Sequence, residues 1–191
     1  MRLEAVRTMP EAGRVDVDAA RAAVADLLTA LGRDISDPHL VDTPRRVVEA
    51  FTELLTPQPH RWTVFPNAED YHELVLVKDI AFHSMCEHHL LPFRGVAHVG
   101  YVPGERLMGL SKLARGLDLF ARDLQIQERL TVQVADWLMT TLQPLGAGVV
   151  LEAEHLCMSI RGVQAAGTLT RTSAFRGILA EPGGLRDGFP G

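Results

Sequence analysis

The chain has 191 residues, 47% of them hydrophobic and 23% charged, which are ordinary values for a globular domain that buries a core. With 19 Lys and Arg against 24 Asp and Glu, its formal net charge of −5 argues against a surface that grips nucleic acid or an anionic membrane. It has no apolar run of about 18 residues and no apolar secretory segment near its start, so we expect a cytoplasmic protein without a membrane span.

Two helices are predicted in the first third of the chain. The apolar residues between Asp18 and Leu31 recur at the spacing of a single helix face. A second helix is predicted to begin at Thr43, a natural N-cap, because Pro44 suits the first helical turn. Pro57 is expected to stop this helix.

Beyond residue 73 the apolar pattern changes to that of strands and longer helices. In chain order, the pattern predicts two strands, two helices and two strands: Glu73–Ile80, Gly95–Val102, Ser111–Leu124, Gln127–Leu142, Gly146–Ile160 and Gly167–Ile178. Strands that flank a pair of helices favour an α+β fold with an antiparallel sheet over a wound parallel sheet.

A metal site is indicated by two clusters of cysteine and histidine. Cys86 and His89 are three residues apart, beside His88, and the spacing lets a thiolate and an imidazole of one turn reach the same ion. Farther along, His155 and Cys157 would share one face of the last part of a predicted strand. The candidate ligands are therefore the two cysteines, His88 or His89, and His155, and this donor set favours Zn²⁺.

Two alternatives stand beside a catalytic zinc site. A buried cysteine is often only a small apolar residue, although here both cysteines have histidines within three positions. A structural zinc site would use four protein ligands, whereas a catalytic site keeps three and leaves a position open. The surplus of histidines favours the catalytic site, because spare imidazoles can transfer protons near neutral pH.

A disulfide between Cys86 and Cys157 is also possible by number, but it is less favoured than a metal site in a reducing cytoplasm.

A second constellation could bind an anion. Ser111 begins a predicted helix whose first turns carry Lys112 and Arg115, a suitable seat for phosphate, although a solvated helix face explains the same spacing equally well. The preceding glycines are spaced as in a phosphate-binding P-loop. Leu110 stands where the P-loop lysine belongs, so we exclude that motif.

Three further charged residues are candidates for ligand contacts. Glu128 opens the long helix, where it could accept two hydrogen bonds from a guanine edge, although a glutamate there more commonly complements the helix dipole. Arg161 follows Cys157 closely enough to reach the same pocket. Arg46, early in the second helix, has a position typical of a surface residue.

Several motifs together resemble GTP cyclohydrolase I. They occur in the order of that family, from about residue 18 to residue 180, and they are Thr43–Arg46, Ser84–Phe93, Gly109–Arg115, Gln127–Leu130, His155–Cys157 with Arg161–Gly162, and Thr172–Gly177. The Cys-Glu-His-His run with a distant His-Leu-Cys is highly specific. His83 departs from the expected pattern and adds a fourth histidine near the cysteines.

The resemblance implies a tunnelling fold (T-fold), with a four-stranded antiparallel sheet, two helices on one face and an N-terminal helical arm. It places the arm in residues 1–60 and a catalytic domain in residues 61–191. It further implies an allosteric homodecamer of two stacked pentameric rings, with active sites at subunit interfaces.

The resemblance implies a zinc-dependent reaction on GTP. The imidazole ring of guanine is opened by hydrolysis, formate leaves, and the product rearranges to 7,8-dihydroneopterin triphosphate, in the first step of pterin and folate synthesis. The implied zinc ligands are Cys86, His89 and Cys157, and His88 and His155 are the implied proton-transfer residues.

The same resemblance implies which residues bind the substrate. Glu128 would anchor the guanine, with Gln127 beside it. The ribose and triphosphate would be held by hydroxyl and cationic side chains: Ser111, Lys112, Arg115, Arg161 and, as a weaker candidate, Arg46. The competing functions are a zinc-dependent pterin- or purine-processing relative of the same fold and a structural zinc module.

Overall fold

A computed structural model describes residues 15–190, which divide into two compact units at the boundary between Thr56 and Pro57. The expected boundary between arm and catalytic domain, after residue 60, lies close to this division. The first part of the predicted arm, residues 1–14, and Gly191 lie outside the described residues. In the described part of the chain, no helix is both long and apolar enough to cross a bilayer.

The N-terminal unit contains both predicted helices, α1 (Val17–Ala30) and α2 (Thr43–Leu54). Asp16 caps α1, because its carboxylate accepts a hydrogen bond of 3.0 Å from the backbone N–H of Ala19. The prediction that Thr43 caps α2 is wrong by one residue. Asp42 holds the cap position without a side-chain cap bond, and Thr43 is already helical because Pro44 sits in the first turn.

The larger unit, residues 57–190, contains seven strands: β1 (Val64–Pro66), β2 (Val75–Cys86), β3 (Leu91–Val102), β4 (Arg106–Met108), β5 (Leu124–Gln125), β6 (Gly146–His155) and β7 (Leu169–Gly177). Four of them form an antiparallel sheet in the order β2-β3-β6-β7. The sheet has five strands rather than four, because the two-residue β5 adds parallel to β2 at its edge. β1 and β4 form a separate pair.

Three of the predicted strands have clearly different bounds in the structure. β3 begins at Leu91 instead of Gly95. β2 continues to Cys86 instead of stopping at Ile80, because β3 pairs with it along its whole second half. β6 ends at His155, and the next four residues form a short helix, α5 (Leu156–Ser159). The expectation that His155 and Cys157 share a strand face is therefore wrong, since Cys157 lies on a helical turn.

Two long helices, α3 (Ser111–Ala121) and α4 (Gln127–Leu142), pack into one apolar core with the sheet. Alternate residues of β3 and β6 supply the sheet side of that core, as the two-residue period of a strand requires. A smaller apolar cluster on the opposite face includes Val102, Val150 and Phe189. The α+β class is confirmed, and both helices belong to the same core.

α3 packs tightly against α4 at Gly116, where a β-carbon would lie only 2.3 Å from two ring carbons of Trp137. The Trp137 ring cannot retreat freely, because it packs against Trp62 at 4.8 Å and Phe120 at 6.4 Å between ring centroids. A glycine is therefore required here to let the helices approach.

We expect Gly116→Ala to destabilise the protein, although alanine normally favours a helix over glycine by about 1 kcal/mol. Overpacking against a fixed ring costs about 1–3 kcal/mol, and each kcal/mol lowers the melting temperature of a chain this long by about 2–4 °C. Thermal melts should show this loss, while Gly109→Ala, whose β-carbon meets nothing closer than 3.7 Å, should melt like the parent protein. A Gly116→Ala protein as stable as the parent would contradict the packing argument.

Candidate metal centre and active site

Three potential metal ligands converge where β2 and β6 end. Cys86 is the last residue of β2, His89 lies in the turn after it, and Cys157 lies on α5. Their ligand atoms all lie within 4.8 Å of one another, and in the described part of the chain no other such group of three or more is found. β3 brings them together, because its first residues pair with β2 on one side and β6 on the other.

The distances within this group fit a tetrahedral zinc site. The two sulfur atoms are 4.0 Å apart, and Cys86 Sγ is 3.7 Å from Nδ1 of His89. Two sulfurs bound to one tetrahedral zinc at about 2.3 Å would lie about 3.8 Å apart. Both thiols are free, so the sulfur pair is available to a metal.

The electrostatics of the two thiols also favour a bound cation. Burial raises the pKa of the Cys157 thiol, and the neighbouring Cys86 raises it further, while Arg161 opposes the rise. Two adjacent thiolates repel each other unless a positive charge lies between them. A divalent cation would supply that charge, because thiolates are its ligands.

The structure separates the two histidines that the sequence left as alternatives. His89 belongs to the ligand group, whereas His88 lies outside it with 62% of its side chain exposed. Nδ1 of His88 is 3.9 Å from Cys86 Sγ, so it stays near the centre. His83 is also outside the group; it is exposed on β2 and, by strand alternation, faces the side opposite to Cys86.

The turn that carries His89 is tied to the start of α4. Glu87 Oε2 accepts a 2.6 Å hydrogen bond from the Arg129 guanidinium, which also donates to the Leu124 carbonyl and the Gln125 side chain. The backbone N–H of Glu87 donates to the Gln125 carbonyl at 3.1 Å. Neither Glu87 nor Arg129 was predicted to have a role, although the two residues lie in the family motifs Ser84–Phe93 and Gln127–Leu130. Spacing gives no sign that residues this far apart meet.

His155 ends β6 beside the ligand group but is not a member of it. Its ring stacks on Phe93 with a centroid distance of 4.6 Å and an interplanar angle of 4°. Its Nε2 lies 2.8 Å from Oε1 of Gln127. Burial lowers the pKa of His155, and the charge of Glu128 partly opposes that shift. The His155 ring is therefore held from two directions next to the potential metal ligands.

The predicted substrate residues at the start of α4 differ in their access to solvent. Glu128 is exposed in the first turn, where a ligand can reach its carboxylate. Gln127 is only 1% exposed, and its amide group bonds to His155 and to acceptors in the sheet. The structure thus gives the Gln127 side chain partners other than the guanine that the resemblance implies.

The predicted phosphate residues lie together on the first turns of α3. Ser111 and Arg115 are exposed, Lys112 is half-buried, and the helix begins without a side-chain cap. Burial lowers the pKa of His60, and the positive charges of Arg115 and Lys112 lower it further, against the opposing charge of Asp118. This end of α3 therefore has a positive local potential that suits an anion.

Two predicted cationic contacts lie elsewhere in the chain. Arg161 follows α5 and is exposed, and its positive charge acts on the Cys157 thiol, so it lies on the same side as the ligand group. Arg46 lies on α2 of the N-terminal unit, where it is exposed and its guanidinium is 3.5 Å from the Asp42 carboxylate. Its predicted role stays a prediction.

Comparison with known proteins places these residues in a family. The family model of GTP cyclohydrolase I matches residues 20–189. GTP cyclohydrolase 1 of Bacillus pumilus is 50% identical over 170 residues, covering 86% of this chain and 89% of the relative. The enzyme of that name from a Geobacillus species is 53% identical over 163 residues, covering 82% and 86%.

A third relative gives the same result. GTP cyclohydrolase 1 of Mycobacterium tuberculosis is 52% identical over 171 residues, covering 86% of this chain and 84% of the relative. Among solved structures, the archaeosine synthase QueF-Like in its apo form has 17% identity and a TM-score of 0.44, over 55% of this chain and 94% of that one, too low to bear on the fold. The family match and these relatives show that the chain belongs to the GTP cyclohydrolase I family.

Proposed function

We propose that this chain is a GTP cyclohydrolase I, an enzyme that opens the imidazole ring of GTP by hydrolysis, releases C8 as formate and forms 7,8-dihydroneopterin triphosphate. Identities near 50% to proteins of that name, over most of the chain, support this activity. The observation that carries it is the convergence of Cys86, His89 and Cys157. His155, whose ring stacks on Phe93, lies two positions before Cys157 in the chain.

The metal is proposed to be zinc, held by the thiolates of Cys86 and Cys157 and by Nδ1 of His89. When bound, a zinc ion lowers the pKa of a coordinated water toward neutrality and so supplies the hydroxide that a ring-opening hydrolysis needs. Among the described residues the group offers three protein ligands. That number is typical of catalytic zinc sites and leaves the structural module without a fourth ligand.

Two histidines beside the metal ligands are proposed to transfer protons. His155 would protonate N7 of the guanine as the ring opens, since its ring lies next to the ligand group in a fixed plane. His88 would act on the solvent side, where its exposed ring lies 3.9 Å from Cys86 Sγ.

The substrate would be held at its two ends. Glu128 would accept hydrogen bonds from the N1 and exocyclic N–H groups of guanine, because its carboxylate is exposed at the first turn of α4. The ribose and triphosphate would bind to the hydroxyl and cationic side chains Ser111, Lys112, Arg115, Arg161 and Arg46. The triphosphate is a handle that stays uncleaved, so its binding energy can position C8 at the metal.

We also propose the family's assembly for this chain: a T-fold subunit with an arm in residues 1–60 and a catalytic domain in 61–191, joined in a cytoplasmic, allosterically regulated decamer with sites at subunit interfaces. Exposed apolar side chains flank Arg161, among them Ile160 and Val163, which is 72% exposed. Such a patch next to a candidate site is typical of a protein–protein contact.

The test of the activity is incubation of the metal-loaded protein with GTP. We expect one formate and one pterin triphosphate per GTP consumed, the pterin detected by fluorescence after oxidation, with no free phosphate released. Phosphate release without formate would make the chain a nucleotidase and overturn the proposal. Formate without a fluorescent pterin would favour the purine-processing alternative.

We expect Cys86→Ala and Cys157→Ala to lose the bound metal, because two protein ligands are too few to retain zinc at a catalytic site. Metal content per chain, measured by mass spectrometry after dialysis, checks this. His155→Ala should keep its metal and lose turnover, and His83→Ala should keep both. Loss of metal from His155→Ala would make His155 a ligand and overturn its proton-transfer role.

The adjacent histidines offer a matched pair for the same measurement. His89→Ala should lose metal, whereas His88→Ala should retain it and turn over GTP slowly, because only His89 belongs to the ligand group. The two variants differ by one position in the same exposed turn, so a general disturbance of the turn would affect both alike. Metal loss from His88→Ala, with metal retained in His89→Ala, would make His88 the ligand instead of His89.

We expect Glu128→Gln to lower kcat/KM for GTP about 10- to 100-fold, since a hydrogen bond to a charged group is worth about 1.5–3 kcal/mol. The loss should be smaller for inosine triphosphate, which lacks the exocyclic amine that the carboxylate would bind. Glu181→Gln, an exposed change near the C-terminus, is the control for altered net charge. An equal loss with both nucleotides would argue against a guanine contact.

A further inference from the structure

Gln127 is the first residue of α4, and its side chain reaches from the helix into the sheet. Its Nε2 lies 3.2 Å from the carbonyl oxygen of Leu151 on β6 and 2.9 Å from that of Thr170 on β7. Backbone carbonyl oxygens can only accept hydrogen bonds, so the atom that faces them must be the NH₂ group. A flipped amide would point its oxygen at two other oxygens in a buried place.

Two threonine hydroxyls fix the same orientation. Thr172 Oγ1 accepts from Gln127 Nε2 at 3.1 Å and lies 2.7 Å from Thr131 Oγ1. Thr131 in turn donates to the backbone carbonyl of Gln127 at 2.7 Å. Each hydroxyl has only one proton to donate. The Gln127 amide therefore donates to Thr172, Thr172 donates to Thr131, and Thr131 donates to the backbone carbonyl of Gln127.

The orientation of the amide leaves its oxygen facing His155, with Oε1 2.8 Å from Nε2 of the imidazole. An amide oxygen has no proton to give, so the imidazole nitrogen must be the donor. Nε2 of His155 therefore carries a proton in the neutral ring as well as in the cation. The stacked Phe93 holds the plane of the ring, and the hydrogen bond to Gln127 Oε1 disfavours the flipped ring, which would replace Nε2 with a carbon.

We propose that Gln127 is a positioning residue that holds His155 in the Nε2–H tautomer and leaves Nδ1 as the nitrogen that gives and takes the catalytic proton. This inference rests on the proposed function for the identity of the reaction, but the tautomer itself is a property of the protein without substrate.

The tautomer can be read from the nitrogen chemical shifts of the histidine ring. We would label the metal-loaded full chain with ¹⁵N-histidine. Two-bond ¹H–¹⁵N correlations would then be recorded at a pH high enough for the His155 ring to be neutral. His155→Ala identifies the signals that belong to this ring. We expect a protonated Nε2 and an unprotonated Nδ1 in the parent protein. A ring protonated on Nδ1 would overturn the proposal without recourse to any variant.

Variants then test whether Gln127 causes the tautomer. Gln127→Leu should give a mixture of both tautomers, an unchanged metal content, and a fall in kcat of about 10- to 100-fold with KM for GTP nearly unchanged. If Gln127 instead bound guanine, KM would rise and the tautomer would stay the same. Gln133→Leu, the same change on the same helix at a half-buried position, should leave the tautomer as in the parent protein.

A conservative variant guards against a folding defect. Gln127→Glu keeps an oxygen acceptor opposite His155, so it should retain the Nε2–H tautomer and more turnover than Gln127→Leu, even if it melts earlier through loss of the amide donors. An Nε2–H ring that persists in Gln127→Leu would overturn the positioning role. A correct tautomer in a protein that releases no formate would overturn the proposed function alone.

Discussion

The rest of the site depends on two sulfur atoms held 4.0 Å apart by the sheet. Burial and the neighbouring Cys86 both raise the pKa of the Cys157 thiol, so a cation that binds both sulfurs would have to displace the thiol protons and would offset the repulsion between the two thiolates. The backbone bears this constraint: β3 pairs with β2 and β6 on its two sides and so brings Cys86 and Cys157 together. The paired strands thus set where the two sulfur donors lie relative to each other.

The first turn of α4 serves three parts of the site with three consecutive residues. Successive side chains of a helix point about 100° apart, so each of them faces a different neighbour. Gln127 turns inward to the ring of His155, Glu128 faces solvent, and Arg129 reaches the turn at Glu87 that carries His89. One helix end thereby links the histidine proposed to transfer protons, the proposed guanine anchor and the turn of a potential metal ligand. A displacement of this helix end would disturb all three together.

Much of the fold was predictable from local patterns. Apolar periodicity placed both N-terminal helices, α3, α4 and the four long strands, because apolar residues recur at different spacings in helices and in strands. Strand ends were less predictable. The strand expected to stop at Ile80 continues to Cys86, and the one expected to reach Ile160 stops at His155, because pairing with β3 decides where each ladder ends. The two-residue β5 is too short to leave a pattern.

By itself the sequence determined the types of residue at the site and the family, because a thiolate, an imidazole or a guanidinium carries its chemistry wherever it lies, and the family motifs are local. Only the tertiary structure placed the ligand atoms of Cys86, His89 and Cys157 within 4.8 Å of one another, and only it joined Glu87 to Arg129 and His155 to Gln127. These contacts depend on distances between atoms far apart in the chain. Such distances follow from how strands and helices pack, so they cannot be predicted from the spacing of residues within one segment.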